Sequence, residues 1–397
     1  MALLIDSKTG LPDPFTTRYS TSQIRVAGRS VNTIGKALDS IALSLEWAED
    51  RRIDIDQRID SCDLFTQEET TDLVNWLRQR RKKSIGKAWE SPKAAVVHPS
   101  THYDRVHAFK AYVSWRTKCV IHRISLRSGL FEQANAKLAS WEEMISGLTR
   151  SAPSKKRYGL DPSQRERLLS VIKPDSPKNP FAPHVRQRNY ALIMTYYALG
   201  VRRAEALVIK GQDLKLNGDS PTLTVHRRAD DPEDNRGRQP LVKTAARILP
   251  LDQNLRNILE TWVIDHRSNR VLYPEAKRHP YIFAGRKGRA LSLSSVNDIF
   301  ERLRSCVPDL PHDFGPHILR HDWNDRFSET CDAMREQERK NDIHPDERLN
   351  DALEMSMRNY LMGWKKESTR ALTYTNRSIE RKSQDMLLLL QRKIFDV

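Results

Sequence analysis

Residues 199–207 read Leu-Gly-Val-Arg-Arg-Ala-Glu-Ala-Leu, and the fold is most readily inferred from this stretch. Gly200 follows an apolar helical segment, and glycine commonly ends a helix in the left-handed conformation. Arg202 then stands at the turn, and Glu205 lies three residues further on, where its carboxylate can orient a guanidinium. Arg203 is the alternative, but the Gly-x-Arg-x-x-Glu spacing favours Arg202. The stretch therefore predicts a helix end followed at once by an oriented arginine.

Two further blocks follow later in the chain. Residues 316–321 read Pro-His-Ile-Leu-Arg-His, and His317 and Arg320 are one helical turn apart, so they share a helix face. Residues 361–364 read Leu-Met-Gly-Trp, and Tyr374 follows ten residues after the tryptophan. The three blocks bring together arginines, a histidine and a phenol, which suit the binding and transfer of a phosphoryl group.

The spacing of His317 and His321 also raises the possibility of a zinc site. Two histidines four residues apart on a helix bind zinc in metalloproteases, where a glutamate lies between them. Here the intervening residues are Ile-Leu-Arg, without that glutamate. A cation as near as Arg320 also disfavours a metal ion, so the sequence predicts no metal site.

In this order the three blocks closely resemble the signature of the tyrosine recombinase (phage integrase) family. That family carries a lysine on a β-hairpin between its first two blocks, shortly before an Arg-x-x-Pro-Leu-like strand. Residues 242–251 read Val-Lys-Thr-Ala-Ala-Arg-Ile-Leu-Pro-Leu and supply Lys243 in that setting. The resemblance is close over residues 160–374 and looser over the N-terminal helices. It implies a mainly α fold with a small antiparallel β-sheet, in which an N-terminal helical core-binding domain precedes a C-terminal tyrosine-recombinase catalytic domain.

The resemblance also implies a chemical role for each residue. Tyr374 matches the nucleophile, whose phenol conserves the energy of a DNA phosphodiester as a phosphotyrosine ester. Arg202 and Arg320 match the pair that holds the non-bridging oxygens, which gain charge in the transition state. Lys243 matches the general acid that protonates the departing 5′ oxygen. His317 matches the residue that assists proton transfer or holds the phosphate.

Supporting positions complete the set. Trp364 occupies the place that histidine or tryptophan fills in the family, where an indole N–H can donate one hydrogen bond to the phosphate. Glu205 would hold an active-site basic residue in place, and His321 would pack behind the site. Such a site needs neither a metal ion nor a nucleotide, so we expect an enzyme without cofactors.

Some assignments have alternatives. Lys210 and Lys215 are distant alternatives to Lys243, because the register of a hairpin cannot be read from sequence. Trp364 could be an ordinary core residue. Tyr360 is the nearest competitor of Tyr374, although it precedes the Gly-Trp block whereas the family nucleophile follows it.

The sequence also departs from the family pattern. The interval from Trp364 to Tyr374 is one residue longer than the commonest spacing, which predicts a bulge or a looser loop. Residues 329–351 are a long, highly charged insertion between the second and third blocks, and acidic residues at 230–234 lengthen the hairpin. We therefore expect Tyr374 to be mobile and to be brought into line by a partner and DNA.

Composition supports a nucleic-acid partner. The 397 residues include 67 Lys and Arg against 51 Asp and Glu, a formal net charge of +16, and such an excess attracts polyanions. No apolar run reaches the roughly 18 residues of a membrane span. The four cysteines are far apart and form no CxxC pair, which favours reduced thiols in a cytoplasmic, DNA-associated protein without membrane contact.

Changes in sequence texture divide the chain. Residues 1–29 show no sustained period and predict an extended or loosely ordered N-terminal arm. Residues 30–146 contain four amphipathic helices, which predict the helical core-binding domain. Residues 147–157 are rich in small, proline and basic residues, as a linker is. Residues 158–397 form the catalytic domain.

Within the catalytic domain, short β-like runs at residues 222–226, 247–251 and 281–283 predict the small sheet. The chain is then mostly helical and ends in a helix at residues 379–394. The apolar patch of that helix would dock either on a neighbouring protomer or on its own domain.

Several basic residues are candidates for contact with the DNA backbone. Charges of this kind more often only solvate the outer face of a helix, and that alternative stays open for the run at residues 78–83. The candidates are Arg78, Arg80, Arg81, Lys82, Lys83, Lys110, Lys155, Lys156 and Arg157.

The function predicted from sequence is site-specific DNA recombination. The family resemblance implies double-stranded DNA as substrate, a homo-tetramer on two duplexes, and a possible accessory or directionality factor. Two other functions remain as alternatives. One is a non-catalytic DNA-binding protein that kept the fold, and the other is a DNA-relaxing enzyme like the type IB topoisomerases.

Overall fold

The computed structural model divides the chain into two compact units, Met1–Ser154 (unit 1) and Lys155–Val397 (unit 2). The division falls inside residues 147–157. The structure describes residues 2–27, 31–79, 96–126, 128–149, 157–228, 231–237, 239–242, 244–344, 348–368, 371, 382–384 and 386–388.

Unit 1 is built from helices whose starts are marked by short polar side chains. Thr66, for example, forms a reciprocal capping box with Glu69, which satisfies backbone N–H groups that a helix leaves unpaired. A π-helical turn at Ser20–Arg25 follows the first helix. The α-helices are α1 (Pro14–Tyr19), α2 (Val31–Arg51), α3 (Ile55–Asp60), α4 (Gln67–Arg78), α5 (Pro99–Ile121) and α6 (Gly129–Gly147).

The prediction of an extended arm over residues 1–29 is wrong for residues 14–25. Asp13 accepts a hydrogen bond from the backbone N–H of Thr16 (2.7 Å), and Pro14 opens helix α1. Both features favour the start of a helix. Tyr19 and Ile24 are buried in the core of unit 1. Two buried apolar residues in so polar a segment are too few to show the apolar spacing by which a helix is recognised in a sequence.

Aromatic residues fill the centre of unit 1. Phe65 contacts Trp47 of α2 (ring centroids 5.9 Å apart), Phe109 of α5 (6.0 Å) and Trp141 of α6 (5.8 Å). Aromatic pairs at this spacing contribute packing beyond the area they bury. The predicted amphipathic helices thus share one core.

Unit 2 is mainly helical, with its core between α8, α10, α11 and α12. A π-helical turn at Thr261–Arg267 continues α10. The α-helices are α7 (Pro162–Ile172), α8 (Pro183–Leu199), α9 (Arg203–Leu207), α10 (Gln253–Glu260), α11 (Leu293–Cys306), α12 (Pro316–Lys340) and α13 (Asp351–Met362).

A small antiparallel sheet completes unit 2, in the order β1 (Leu214–Lys215), β2 (Thr222–Val225) and β3 (Arg247–Pro250). The register pairs Leu223 with Leu249 and Val225 with Arg247. Side chains alternate between the two faces of a strand, and in β3 the residues Arg247 and Leu249 face inward. The predicted fold class, mainly α with a small antiparallel sheet, is confirmed.

The third predicted β-like run, residues 281–283, is not a strand in the sheet. Tyr281 forms an isolated antiparallel bridge with Lys210, and the N–H of Ile282 donates to the carbonyl of Ile209 (2.9 Å). These contacts satisfy the buried backbone without extending the sheet.

The charged segment 329–351 begins as a continuation of helix α12, which runs to Lys340. Arg335 holds the end of α12 to the start of α13, because it pairs with Asp332 (3.2 Å), Asp351 (2.9 Å) and Glu354 (2.7 Å). Arg335 of this segment therefore joins two helices through ion pairs.

Of the predicted C-terminal helix, only residues 382–384 and 386–388 lie among those described, and they are helical. Met386, Leu387 and Leu388 are more than half exposed. No helix in the described ranges is both long and apolar enough to cross a membrane.

Candidate active site

The site begins where α8 ends. Gly200 adopts the left-handed conformation (φ 59°, ψ 20°), and a Cβ there would lie 2.8 Å from the indole of Trp323, so only glycine fits. Arg202 caps the N-terminus of α9. Its backbone N–H donates to Glu205 Oε2 (2.9 Å), and its guanidinium Nη1 donates to Glu205 Oε1 (3.2 Å). The arginine and glutamate of the first block are thus in contact.

Glu205 is the buried centre of the site, with 1% of its surface exposed. It accepts hydrogen bonds from Arg247 Nη2 (2.8 Å) and from the hydroxyl of Thr244 (2.6 Å). Burial alone would raise the pKa of Glu205, but the charge and hydrogen bond of Arg247, together with Arg320 and Thr244, lower it to about 2. The carboxylate is therefore ionised at any physiological pH and holds basic groups around it.

The arginines of the site meet at the C-terminal end of α13. Arg202 Nη1 lies 3.5 Å and Arg320 Nη2 lies 3.1 Å from the same carbonyl oxygen, that of Met362. Arg247 Nε donates to the preceding carbonyl, Leu361 O (2.7 Å). The last carbonyls of a helix have no partner inside it and carry partial negative charge. The end of α13 therefore gathers three guanidinium groups in one place.

Arg320 is the most deeply set of the three, with 1% of its surface exposed. Besides Met362 O, its Nη1 donates to Gly200 O (2.6 Å). Arg202, by contrast, has a side chain that is 28% exposed. The two arginines predicted from separate blocks are adjacent, and Arg202 is the one open to solvent.

His317 and His321 lie at the start of α12, and their Nε2 atoms are 3.3 Å apart. His317 is exposed and His321 is buried. Although His317 is exposed at the surface, the atoms packed around it desolvate its ring, and this desolvation and the positive charges of Arg157, Arg320 and Arg202 lower its pKa. Burial, followed by the neighbouring ring of His317 and the charges of Arg157 and Arg320, lowers the pKa of His321 to about 3. Both rings are therefore neutral near pH 7, and His317 is able to accept a proton.

The buried histidine makes stability depend on pH. The pKa of His321 is lower in the folded protein than in the unfolded chain. The contribution of this residue to stability is therefore fully present above its unfolded pKa and is lost as the pH falls from that value toward the folded pKa. We expect the free energy of unfolding to fall by about 2 kcal/mol between pH 6.5 and pH 5 from this residue. Urea denaturation across this range measures the slope.

His321→Gln should flatten that slope, whereas His312→Gln, which changes an exposed histidine of the same unit, should leave it unchanged. An equal slope in wild type and His321→Gln would contradict the assignment.

Trp364 follows a tight turn at Gly363, which is left-handed (φ 64°). A Cβ on Gly363 would lie 2.6 Å from Arg247 Nη1. Trp364 packs in a small apolar cluster with Met362 and Ala371, and the Arg320 guanidinium carbon lies 5.4 Å from its ring centroid. Trp364 is only 7% exposed, so its indole lies against Arg320 and does not face solvent.

Other predicted site residues lie outside the described residues. Those of the catalytic set are Lys243 and Tyr374. Those of the predicted DNA-contacting set are Arg80, Arg81, Lys82, Lys83, Lys155 and Lys156.

The described members of the DNA-contacting set have different surroundings. Arg78 is exposed at the end of α4. The Lys110 ammonium donates to the hydroxyl of Ser146 (2.7 Å), so it joins α5 to α6 within unit 1. Arg157 is half-exposed, lies 3.5 Å from Asp313, and is close enough to the two histidines to act on their pKa.

Sequence reasoning missed Arg247 and Thr244 as members of the site. Residues 247–251 alternate between the two faces of a strand, which puts Arg247 on the same side as Leu249. A charged side chain at an inward-facing strand position needs a buried partner, and that signal could have pointed to Glu205.

No group of three or more histidine, cysteine, aspartate or glutamate side chains is arranged to hold a metal ion in the part of the chain that the structure describes.

Comparison with known proteins gives a class for unit 2. Residues 159–334 match the Phage integrase family, and this stretch includes the first two sequence blocks. The matched residues all lie within unit 2, which is therefore similar to this family over most of its length.

One curated relative and one solved structure extend the comparison. The tyrosine recombinase XerH of Helicobacter pylori (strain ATCC 700392 / 26695) is 27% identical over 179 residues, which is 45% of this chain and 43% of that protein. The alignment thus spans less than half the length of the relative. A structure of the Tn1549 transposon integrase, residues 82–397, in complex with transposon right end DNA has a TM-score of 0.52 and 16% identity, covering 94% of this chain and 99% of that one. This second likeness establishes the fold alone.

Proposed function

We propose that the protein is a site-specific DNA recombinase that cleaves and rejoins strands through a 3′-phosphotyrosine intermediate. One observation carries the proposal: Arg202 and Arg320, from separate sequence blocks, approach the same carbonyl oxygen. Local sequence alone does not bring them together, because they lie 118 positions apart in the chain. Their meeting creates a site that suits an anion.

The charge balance of the site supports this proposal. Arg202, Arg247 and Arg320 surround one carboxylate, Glu205, so these four side chains carry an excess of two positive charges. Like charges gathered in a partly buried place repel one another unless an anion balances them. A phosphodiester supplies that anion, and planar guanidinium groups match its oxygens.

The reaction follows from these groups and from the two sequence-predicted residues. The phenolic oxygen of Tyr374 attacks phosphorus, and its proton passes to a base, for which the neutral ring of His317 is suited. The bond between phosphorus and the 5′ oxygen breaks as Lys243 donates a proton to that oxygen. Arg202 and Arg320 stabilise the charge that grows on the non-bridging oxygens. Attack by a 5′ hydroxyl on the phosphotyrosine then rejoins the strand.

The burial of Arg320 adds a condition to this mechanism. Because Arg320 is 1% exposed and donates to Gly200 O and Met362 O, we expect its side chain to shift when a phosphate binds and to exchange one of these carbonyls for a phosphate oxygen. A carbonyl is a neutral acceptor, and a phosphate oxygen is a charged and therefore stronger one. The exchange is favourable once DNA is bound, so the closed arrangement is the resting form of the site.

We further propose double-stranded DNA as the substrate, bound with Arg157 beside the scissile phosphate. The complex of the Tn1549 transposon integrase with transposon right end DNA is consistent with this. Exchange between two duplexes requires four active sites, so the working form would be a homo-tetramer in the cytoplasm, with an accessory or directionality factor where the reaction has a preferred sense.

The proposal predicts a covalent complex that forms without metal. The probe is a pool of nicked duplexes with a randomised centre, from which the short cleaved fragment diffuses away and leaves the adduct trapped. Incubated in EDTA, the wild-type protein should yield a band of protein joined to DNA on a denaturing gel. Binding should also weaken steeply with salt, because phosphate contacts release counterions.

Tyr360→Phe is the matched control, since it removes an exposed phenol from α13 (56% exposed). It should form the adduct as wild type does. A pool that yields bound but never covalently joined DNA would overturn the proposal in favour of a DNA-binding protein that kept the fold.

A further inference from the structure

The connection between β2 and β3 is held in place by acidic residues that the sequence shows only as a lengthening of the hairpin. Asp231 accepts hydrogen bonds from Lys210 Nζ (2.7 Å) and from the hydroxyl of Tyr281 (3.0 Å). Glu233 lies 2.5 Å from the same ammonium. Lys210 is 5% exposed and Tyr281 is 1% exposed, and the Asp231 side chain between them is 11% exposed, so their contact is buried, whereas Glu233 joins it from the surface.

Two further ion pairs extend the anchoring along the same connection. Arg228 pairs with Asp213 through both terminal nitrogens (2.7 Å each). Arg236 pairs with Asp234 (2.7 Å) and also donates to Leu207 O (3.1 Å). Bidentate arginine–carboxylate pairs fix orientation as well as distance. The connection is therefore tied to residues 207–213, which are the last residue of α9 and the segment that follows it.

The two sequence neighbours of Lys243 are both fixed. Val242 is 2% exposed and packs with Val208 and Tyr281. Thr244 is 4% exposed and donates its hydroxyl hydrogen to Glu205 Oε1 (2.6 Å). Tyr281 is thus shared, because it lies in the same small apolar cluster as Val242 while its hydroxyl donates to Asp231. Only one residue, Lys243, separates the two fixed positions.

We propose that Lys210, Asp231 and Tyr281 are positioning residues for the general-acid step performed by Lys243. This inference rests on the proposed function. The acidic lengthening of the hairpin acts as a clamp that ties the segment before Lys243 to the body of unit 2, while Thr244 ties the segment after it to Glu205 and so to Arg202. A general acid must be within hydrogen-bond distance of the atom it protonates, and small misplacements cost much of its effect.

The test separates the proton-transfer step from all others. A nicked duplex recovered from the randomised pool is made in two forms, with oxygen or with sulfur as the 5′ bridging atom. A 5′ thiolate leaves without a proton because thiols are far more acidic than alcohols, so the sulfur substrate makes a general acid unnecessary. The variants are Asp231→Asn and Tyr281→Phe, each of which removes one partner of the clamp while keeping the shape of the side chain.

With the oxygen substrate, both variants should form the adduct about ten-fold or more slowly than wild type, since general acids contribute roughly 10²- to 10⁴-fold. With the sulfur substrate they should match wild type, as Lys243→Ala should. Asp219→Asn, which removes the same charge from the exposed turn between β1 and β2, should match wild type on both substrates.

Equal losses on the two substrates would overturn the inference, because they would indicate a general effect on folding or DNA binding. An unchanged rate on the oxygen substrate would overturn it too, as would a Lys243→Ala variant that sulfur does not rescue. Failure of wild type itself to form an adduct on either substrate would instead refute the proposed function and the inference with it.

Discussion

Arg202→Lys is expected to slow adduct formation by about 10²- to 10³-fold, the loss typical when one preorganised donor to the transition state is removed. Lysine keeps the positive charge but not the planar pair of donors. Arg202 uses Nη1 toward Glu205 and Met362 O, which leaves the rest of its partly exposed guanidinium to face a phosphate. The measurement is the single-turnover rate of adduct formation on the nicked duplex.

Arg203→Lys is the matched control, since it makes the same change one residue further on. Arg203 donates to the side chain of Asn297, away from the cluster. Its rate should stay close to that of wild type. Similar losses for the two substitutions would mean that general basicity, and not the oriented guanidinium of Arg202, supports the reaction.

Glu205→Gln is expected to lower the free energy of unfolding by about 3–5 kcal/mol, because it leaves a buried cation without its anion. The cation is Arg247, whose side chain is 1% exposed. The low pKa of Glu205 leads to a similar loss of free energy of unfolding. The contribution of this carboxylate to stability is present above its unfolded pKa of 4.5 and is lost as the pH falls toward 2. That shift corresponds to about 3 kcal/mol. Urea denaturation at pH 7 measures the loss.

Glu260→Gln provides the comparison for this loss. Glu260 pairs with Arg256 one helical turn away at 3.0 Å, with both side chains partly exposed, and surface pairs of this kind contribute at most about 1 kcal/mol. The double variant Glu205→Gln, Arg247→Met should recover part of the lost stability, because it removes the unpaired cation as well. A Glu205→Gln variant no less stable than Glu260→Gln would contradict the buried role of Glu205.

The contacts between residues close together in sequence could be predicted from the sequence alone. The end of α8 at Gly200 and the contact between Arg202 and Glu205 depend on residues within one turn of each other. Such spacing is a direct readout of helix geometry. The same holds for His317 and His321, whose rings do touch.

The parts that sequence could not predict are the long-range ones. That Arg247 and Thr244 bind Glu205 depends on the register of β3 against β2 and on the path of the chain between them. The sequence around Lys210 does not indicate that it pairs with Asp231. The acidic stretch at residues 230–234 was therefore predicted only to lengthen the hairpin. The helical residues 14–25 were missed for a similar reason, because Tyr19 packs against Tyr112 and Trp115 of α5, far along the chain.

We propose that the phenol of Tyr374 becomes covalently linked to a DNA 3′ phosphate. The most direct measurement is to digest the trapped adduct with protease and nuclease and to locate the attached nucleotide by mass spectrometry. We predict a nucleotide joined through its 3′ phosphate to Tyr374, and no adduct from Tyr374→Phe under the same conditions. A nucleotide attached to Tyr360 or to any other residue, or an adduct that persists in Tyr374→Phe, would contradict the claim.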